Sequence, residues 1–359
     1  MIAIGTTLFS GGGSGGGTLT IGVYSDAGLT NPITSADFGD TVYIKAVPTG
    51  LTPTNYIFFY YNGTTITKIA DQAGSTFTWV IDVALANGDV YVMAYDSVSS
   101  DRPWGLTPFE VTGDADANAY FLAAGITDQT IIDDLTPRFV SLKSSGLWDK
   151  ILAWYPFKGG TASSNKYNAK DPRDLDAAFR LTFFGGWVHS AGGSLPNGTN
   201  AYANTHLIPD NEGLTNTDNH LSFNTDTSSA AVNPQFYDLG SGNTSGSILT
   251  SLWTRRAANT AAFDSGAFGS NRNSFASTDG SGFWVGAANG ANSVLQKNGV
   301  TLATKALSPQ ASLSPFEVFI GGLNENDTLT YYSIRNCIDI TIGMGLTPSE
   351  GATLEGILS

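Results

Sequence analysis

The chain has 359 residues, which is long enough to form two or three domains with buried cores. Charged residues make up 13% of the chain and its formal net charge is −14, so it lacks the basic surface that phosphate contacts require, and we expect no nucleic-acid partner. No apolar run reaches the roughly 18 residues of a membrane-spanning helix, and the start MIAIGTTLF lacks the regions of a signal peptide, so we expect neither membrane insertion nor export.

The first 17 residues are predicted to form a glycine-rich attachment arm. The stretch SGGGSGGG contains a G-x-G-x-x-G and a G-x-S-x-G pattern, but the strand-like TLTIGVY follows where a nucleotide loop or a nucleophile turn needs a helix. Apolar residues precede the glycines, and a groove or sheet edge of a partner is expected to bind them. They are Met1, Ile2, Ile4, Leu8 and Phe9.

Residues 18–112 are predicted to form a small β-sandwich. Strand-like runs such as TVYIKAV, NYIFFYY and DVYVMAY alternate with turn formers at short, regular spacing, and the 42 glycines of the chain fit this turn-rich pattern. The region resembles an immunoglobulin-like domain without the cysteine pair. Trp79 is expected in its core.

Residues 113–158 are predicted to form a short helical connector. Ile132, Leu135, Phe139 and Leu142 recur at helical spacing, and Asp128 can cap the start of this run. Gly146 can stop the run before Leu147 to Ala153, and the whole segment is interpreted as a short helical connector.

Residues 159–359 return to β character and are predicted to form a second, larger sandwich. In VLQKNGVTLA, the pair Asn298-Gly299 supplies the residues with positive φ that a two-residue hairpin turn needs. The closing LTPSEGATLEGIL has Thr347 as a cap, Pro348 after it and Glu350 at the capping-box offset, which predicts a short terminal helix.

This second region resembles a laminin-G or concanavalin-like jelly roll in three places: NGTNAYANTHL with HLSFNTDT, the QKNGVTLATKA hairpin, and IDITIGMGLTPSEGATL. From AYFLAAG to AYANTHL it also resembles a module of virion structural proteins of tailed phages, notably crAss-like and related phages of gut bacteria. The resemblance covers about residues 114–359 and supplies no catalytic site. It implies a location in the virion, as a capsid decoration, head-fibre or tail-associated protein, with other virion proteins and a homo-oligomer as partners.

The stretch KDPRDLDAAFRL looks at first like an active site. It offers Asp171, Asp174 and Asp176 together with Arg173 and Arg180, but neighbours of alternating sign more often form a solvated salt-bridge cluster than an acid/base pair. Retaining glycosidases on concanavalin-like folds place carboxylates on one strand as E-x-D-x-E, and none of the six glutamates pairs in this way. We therefore expect no enzyme activity.

The remaining polar candidates give no metal or nucleophile site. The three histidines, His189, His206 and His220, lack metal-ligand spacing, and the single Cys337 is expected to be a buried small hydrophobe. No cofactor is predicted. A structural calcium ion could be held by aspartates of this fold, although no ligand series singles one out. The candidates are Asp210, Asp218, Asp226 and Asp327.

Two functions from different classes follow from these observations. The main expectation is a non-enzymatic virion structural protein that acts in particle assembly and surface adhesion. The alternative is a carbohydrate-binding or polysaccharide-degrading receptor-binding module that recognises a host surface glycan by aromatic stacking. The aromatic candidates for stacking are Trp187, Trp253, Trp284 and Tyr331.

Overall fold

The structure is a computed structural model that describes residues 18–37, 40–50, 52–61, 66–81, 88–95, 104–112, 114–228, 236–256, 258–308 and 312–359. The chain is mainly β, as its composition and turn spacing predict. It divides into two compact units, residues 1–122 with 127–132 and residues 123–126 with 133–359. This division falls within the predicted connector.

The N-terminal unit contains two sheets. One has the strand order β1-β3-β6, and the other has the order β2-β8-β7-β4-β5. The strands are β1 (Thr18–Tyr24), β2 (Ser35–Asp37), β3 (Thr41–Thr49), β4 (Asn55–Tyr61), β5 (Ile66–Gln72), β6 (Thr76–Val80), β7 (Gly88–Tyr95) and β8 (Trp104–Thr112). All neighbours are antiparallel except β2 and β8.

The core of this unit forms between the two sheets because alternate residues of each strand point inward. In β3 the inward positions are Val42, Ile44 and Ala46, and in β4 Phe58 is fully buried. Trp79 of β6 is 3% exposed and belongs to the same cluster, which confirms its predicted place in a core.

Two helices cross the boundary between the units, α1 (Ala115–Ala124) and α2 (Gln129–Ser144). The side chain of Asp128 accepts a hydrogen bond of 2.9 Å from the Thr130 amide, which confirms Asp128 as the cap of α2. Gly146 has φ of 75°, a conformation that glycine adopts without the strain of a Cβ, and it follows the end of the helix as predicted.

The C-terminal unit contains the remaining elements. They are β9 (Ile151–Tyr155), α3 (Ala162–Asn165), β10 (Thr182–Phe184), β11 (Trp187–Ser190), β12 (Gly193–Pro196), β13 (Tyr202–Asn204), β14 (Asp218–Thr225), β15 (Leu239–Gly242), β16 (Leu249–Trp253), β17 (Thr260–Gly266), β18 (Arg272–Ala276), β19 (Gly282–Asn289), β20 (Asn292–Lys297), β21 (Val300–Ala306), β22 (Phe319–Ile320), β23 (Leu323–Glu325), β24 (Thr328–Thr330), β25 (Ile340–Gly343) and α4 (Pro348–Leu358).

Two large sheets build this unit. A six-stranded sheet has the order β21-β20-β19-β14-β25-β9, and a nine-stranded sheet has the order β10-β13-β22-β15-β16-β17-β18, with β23 and β24 attached beside β15. Phe223 and Trp284 of the first sheet share a core with Leu252 and Phe263 of the second, and all four side chains are fully buried. The two packed sheets confirm the predicted jelly-roll class.

Local sequence signals account for two elements of this unit. The β20–β21 hairpin turns at Asn298 (φ 49°) and Gly299 (φ 72°), as predicted. Helix α4 starts with the predicted capping box, in which the Thr347 hydroxyl accepts from the Glu350 amide and the Glu350 carboxylate accepts from the Thr347 amide.

The predicted connector is wrong in its last part. Residues Ile151–Tyr155 fall within the range predicted as a helical connector, but they form strand β9, which pairs antiparallel with β25 at the edge of the six-stranded sheet. The run ILAWY is short and almost wholly apolar, and Ala153, Trp154 and Tyr155 are fully buried. Pairing with β25 satisfies its backbone groups inside the core, which decides the conformation. Within the described residues, no helix has the length and apolarity that a membrane crossing needs.

Candidate functional site

The candidate site lies on the face of the nine-stranded sheet that points away from the main core. Along β16 and β17 the side chains alternate, so that Leu252 and Phe263 enter the main core whereas Trp253 and Ala262 belong to a second, smaller apolar cluster. This follows from the two-residue period of a strand. Above this second cluster the structure has an open pocket of about 290 Å³, which we call the sheet-face pocket.

Three kinds of residue line the sheet-face pocket. A turn between β15 and β16, residues 243–246, forms one rim. Aliphatic side chains of Leu249 and Leu323 contribute to the floor. The walls carry aromatic rings and charged groups, namely Tyr237, Phe268, Tyr331, Arg256, Arg272 and Glu325.

Arg272 is fixed by a buried carboxylate. Its Nε donates to Oδ1 of Asp264 at 2.7 Å and its Nη2 donates to Oδ2 at 2.9 Å, while the Ser251 hydroxyl donates to Oδ2 at 2.8 Å. Burial raises the pKa of Asp264, and the bonds from Arg272 and Ser251 act in the opposite direction. Because Asp264 is fully buried and held by three donors, the planar guanidinium of Arg272 has a defined orientation in the pocket wall.

The two arginines stack on aromatic rings. The Arg272 guanidinium lies 4.3 Å from the ring centre of Trp253 and 4.0 Å from that of Phe268. The Arg256 guanidinium lies 4.8 Å from the Trp253 ring centre and 5.6 Å from that of Tyr237. Trp253 is therefore covered by both cations, and such contacts stabilise guanidinium groups in a partly dry site.

The rim turn positions Phe268. The Phe268 amide donates to the Gly246 carbonyl at 2.9 Å, and Gly246 has φ of 67°. A Cβ at Gly246 would come within 3.1 Å of the Phe268 Cβ, so glycine permits both the turn conformation and the close approach. Phe268 nevertheless remains 58% exposed, which is unusual for a large apolar side chain beside a pocket.

The four aromatic residues predicted to stack on sugars occupy different environments. Tyr331 lines the sheet-face pocket, and its ring lies 5.5 Å from that of Tyr237. Trp187 lies outside it, where its indole N–H donates to the carbonyls of Phe184 and Tyr202. Trp253 is 2% exposed and Trp284 is fully buried in the main core. These two residues are thus unavailable for stacking, since arginines cover one and the core encloses the other.

The structure confirms that KDPRDLDAAFRL forms a salt-bridge cluster at the surface. Arg180 pairs with Asp174 at 2.9 Å and with Asp176 at 2.8 Å, and Arg173 pairs with Asp171. The Arg180 partner lowers the pKa of Asp176. Arginine and lysine partners also lower the pKa of Asp171 and Asp174, so all three carboxylates stay charged near neutral pH, where they cannot donate a proton as general acids and are only weak bases.

His206 lies beside this cluster in a chain of polar contacts. Its Nε2 lies 2.8 Å from the Thr182 hydroxyl and 3.5 Å from Asp176, and its Nδ1 lies 3.2 Å from Glu317. The sequence spacing gave no sign of this arrangement, because the residues come from four separate segments. The order hydroxyl, imidazole and carboxylate resembles that of a nucleophilic triad. Asp176 also approaches Nε2, so a second oxygen competes with the Thr182 hydroxyl for this ring nitrogen.

The other two histidines are structural. His220 is fully buried, its Nδ1 lies 2.6 Å from the Met344 carbonyl, and its Nε2 lies 2.9 Å from the Thr341 hydroxyl. Burial lowers the pKa of His220 to about 4, so the ring is neutral at ordinary pH. His189 contacts the hydroxyl of Ser194 at 2.9 Å, and Ser194 is fully buried, which denies a substrate access to that hydroxyl. Cys337 is buried, as predicted.

In the described residues, no group of three or more His, Cys, Asp or Glu side chains is arranged to hold a metal ion. The calcium candidates have other roles where contacts are visible. Asp218 accepts a hydrogen bond of 2.6 Å from the Gly345 amide, and Asp226 accepts from Thr227 and from the side chain of Asn336. The predicted arm residues, Met1, Ile2, Ile4, Leu8 and Phe9, lie outside the described residues.

Sequence reasoning found Tyr331 but missed most of the sheet-face pocket. Arg256, Phe268 and Glu325 come from separate strands and loops, and no local spacing links them. One signal was present: the paired Arg255-Arg256 and the Phe268 that follows Gly266 place charged and aromatic residues next to strand ends in a chain with few charges. Strand order alone brings these residues together, because β15, β16, β17 and β18 are consecutive neighbours.

Comparison with known proteins gives structural likeness alone. No family model matches the chain, and no curated protein matches it. Domain 4 of AbnA, an extracellular arabinanase of Geobacillus stearothermophilus solved with arabinotriose, is 15% identical, with 57% of this chain and 98% of that chain covered and a TM-score of 0.39. The CBM40 domain of the Ruminococcus gnavus IT-sialidase bound to α2,3 sialyllactose is 17% identical over 39% of this chain and 82% of that chain, with a TM-score of 0.28. A mutant Trypanosoma rangeli sialidase with trans-sialidase activity is 10% identical over 94% of this chain and 51% of that chain, with a TM-score of 0.40.

Proposed function

We propose that the C-terminal unit is a carbohydrate-binding domain and that the sheet-face pocket is its binding site. The observation that carries this proposal is the combination, in one open pocket, of aromatic rings with charged and hydroxyl-bearing groups. Phe268 is largely exposed, Tyr331 lines the same pocket, and Arg256 and Glu325 lie in its walls. None of these four residues is required there by the main core.

This combination suits sugars for a chemical reason. A pyranose ring has apolar C–H faces that pack on aromatic rings and equatorial hydroxyls that need hydrogen-bond donors and acceptors. Phe268, Tyr331 and Tyr237 offer the ring surfaces, and Ser245, Glu325 and the arginines offer the polar partners. The volume of about 290 Å³ falls at the lower end of small-molecule sites, which fits one or two sugar units.

We further propose that this domain binds without hydrolysing its ligand. Glycoside hydrolysis ordinarily uses two carboxyl groups about 5–9.5 Å apart on either side of the scissile bond. Among the described residues that line the sheet-face pocket, Glu325 supplies the one carboxylate. Asp264 lies behind Arg272, fully buried and occupied by its hydrogen bonds, so it cannot reach a substrate.

The place of the protein in a virion is a separate proposal, which rests on the resemblance of residues 114–359 to phage virion modules. A carbohydrate-binding domain carried on a capsid, head fibre or tail would attach the particle to a host surface glycan. Adhesion and particle assembly are then two roles of one chain. Immunogold labelling of purified particles with an antibody against this chain tests the location, and particles without label would refute it.

The test of the binding proposal is a glycan microarray probed with the full chain, followed by calorimetry with the best ligand. Phe268→Ala should weaken binding roughly tenfold, since losing a stacked ring costs about 1 kcal/mol or more, whereas Phe268→Tyr should retain binding. Phe275→Ala is the matched control, because Phe275 is a phenylalanine 39% exposed on β18 that does not line the pocket.

Two results would refute the proposal. If no glycan binds the full chain on the array, the unit is not a carbohydrate-binding domain. If Phe268→Ala and Phe275→Ala bind alike, the sheet-face pocket is not the site. Release of reducing sugar from a bound polysaccharide would separately refute the absence of hydrolysis.

A further inference from the structure

The charge distribution of the sheet-face pocket indicates which class of sugar it binds. We infer that the bound sugar carries a carboxylate and that Arg256 holds this carboxylate at the β16 end of the pocket. This inference rests on the proposed carbohydrate-binding function and specifies its ligand as an acidic sugar.

The Arg256 guanidinium has free donors. Its face stacks over Trp253 and Tyr237, but it donates no hydrogen bond and forms no salt bridge to any residue that the structure describes. Stacking leaves the N–H groups at the edge of the guanidinium available, because it uses the face of the group alone. A partly buried cation with open donors beside a pocket is a ready site for a carboxylate.

The neighbouring arginines have partners, which distinguishes Arg256 from them. Arg272 binds Asp264 through two nitrogens. Arg255 donates to the Ser228 carbonyl at 2.7 Å and to the Asn259 side chain. Arg335 is fully buried and pairs with Asp238 at 3.2 Å. Arg256 therefore has no hydrogen-bonded or ion-paired partner among the described side chains; the Asp264 carboxylate interacts with it electrostatically, but its oxygens are already occupied by Arg272 and Ser251.

The one carboxylate of the lining does not cancel this charge. Glu325 pairs in register with Gly242, whereas Arg256 stacks on Tyr237, which precedes Gly242 by five residues. Glu325 and Arg256 line the same pocket, but no hydrogen bond or salt bridge joins their side chains. A ligand can therefore place its carboxylate at Arg256 and a hydroxyl at Glu325, which accepts the hydroxyl hydrogen.

The backbone that carries Arg256 is fixed before any ligand arrives. The Arg256 amide donates to the Thr260 carbonyl at 2.9 Å, and Nη2 of Arg335 donates to the Arg255 carbonyl at 2.7 Å. Arg335 is itself anchored to Asp238, which also accepts from the Thr254 amide at 2.7 Å. Holding the turn in one conformation lowers the ordering cost of binding.

A neutral sugar satisfies this site less well than an acidic one. Covering Arg256 with a ligand removes water from a charged group, and a hydroxyl oxygen returns one ordinary hydrogen bond. A carboxylate returns a paired, charge-assisted contact, worth roughly tenfold or more in affinity. The expected ligands are units such as uronic or nonulosonic acids, and the shared chemistry is the ring carboxylate.

The experiment compares each acidic sugar with its own methyl ester, using the full chain and calorimetry. The ester keeps the ring and its hydroxyls but removes the charge, so we expect binding at least about tenfold weaker. Raising the salt concentration should weaken binding of the acid more than binding of the ester. Glucuronic acid and N-acetylneuraminic acid are the two probes, and glucose is the neutral reference.

Three variants test whether the preference for the acid over its ester depends on Arg256. Arg256→Gln should weaken binding of the acid at least about tenfold and leave binding of the ester nearly unchanged. Arg255→Gln removes the same charge one residue away and is the matched control, which should bind both as the wild type does. Arg256→Lys keeps the charge without the planar pair of donors and should give an intermediate loss.

The outcomes separate this inference from the function on which it rests. Equal affinity for acid and ester, or an unchanged acid affinity in Arg256→Gln, overturns the carboxylate inference while binding of glycans itself persists. Equal losses in Arg255→Gln and Arg256→Gln also overturn it, because a general charge effect then explains the result. Failure of every glycan to bind the wild type refutes the proposed function instead.

Discussion

Replacing Asp339 with asparagine should change how the stability of the C-terminal unit depends on pH. Asp339 is fully buried beside β25, where its Oδ1 accepts from the Trp154 indole at 2.5 Å and its Oδ2 lies 3.3 Å from Nη1 of Arg138. Burial raises the pKa of Asp339 from 3.8 to about 7, although Arg138, the Trp154 bond and Lys158 act in the opposite direction and Asp134 reinforces the rise.

The raised pKa of Asp339 determines how stability changes with pH. Since the folded protein holds the Asp339 proton more tightly than the unfolded chain, its contribution to stability is complete below pH 3.8 and is lost as the pH rises through about 7. Each pKa unit corresponds to about 1.36 kcal/mol, so the loss amounts to roughly 4 kcal/mol. The asparagine side chain does not titrate, so this slope disappears in the variant.

The assay is chemical denaturation from pH 4 to pH 8, followed by tryptophan fluorescence, which reports mainly on this unit because five of the seven tryptophans lie in residues 133–359. The variant loses the carboxylate oxygen that faces Arg138, a cost that does not vary with pH. The observable is therefore the difference in unfolding free energy between wild type and Asp339→Asn. This difference should move by roughly 4 kcal/mol in favour of the variant between pH 4 and pH 8.

A second variant, Arg138→Met, tests whether Arg138 lowers the pKa of Asp339. Removing the cation that stabilises ionised Asp339 should move the loss of stability to higher pH. A difference between wild type and Asp339→Asn that stays constant from pH 4 to pH 8 would show that Asp339 keeps an ordinary pKa. The account of its buried environment would then be incorrect.

Two further predictions concern buried positions of the same unit. Burial lowers the pKa of His220 from 6.5 to about 4, so its contribution to stability is present above pH 6.5 and falls by roughly 3 kcal/mol towards pH 4. An NMR resonance assigned to the His220 imidazole that titrates above pH 6 would contradict this prediction. In Gly286→Ala the new methyl group would overlap the Phe263 ring, so the free energy of unfolding should fall by roughly 1–3 kcal/mol. The second substitution Phe263→Leu should restore part of this loss. The control is Gly356→Ala in α4, whose methyl group meets nothing within 4 Å and which should be neutral or stabilising. Denaturation midpoints that are equal for the two alanine variants would contradict the packing account.

The two titrating groups have opposite effects across one pH range. Between about pH 4 and 6.5, rising pH removes the stability linked to Asp339 and restores that linked to His220. The two slopes largely cancel in the wild type, which should therefore show a flatter profile than either group alone would give. Asp339→Asn exposes the His220 slope, so the variant should gain stability steadily from pH 4 to 6.5.

Elements with local causes were predictable from the sequence. The Asn298-Gly299 turn depends on two adjacent residues with positive φ, and the start of α4 depends on Thr347 and Glu350, three residues apart. The cluster around Arg180 is local too, since Asp174 and Asp176 lie within six residues of it. In each case the interacting groups are close in the chain, so their spacing already contains the geometry.

Strand β9 and the sheet-face pocket were not predictable in the same way. The run ILAWY has no usable period, and its conformation depends on β25, which lies almost two hundred residues further along the chain. The pocket depends on which strands are neighbours, since Arg256, Phe268 and Glu325 meet only because β15 lies between β23 and β16 in the sheet. Strand order is a property of the whole core, and the core was predicted as a class without its topology.

The structure also explains why the charge distribution in the sequence did not indicate the sheet-face pocket. A chain with 13% charged residues draws attention to the dense run KDPRDLDAAFRL, where charges neutralise each other at the surface. The functional candidates are instead charges without a described salt-bridge partner, Arg256 and Glu325, held beside aromatic rings on a sheet face. Clustered charges satisfy one another, whereas a separated charge in a partly dry pocket keeps its capacity to bind a ligand. For this reason the sparse positions, rather than the dense ones, carry the proposed function.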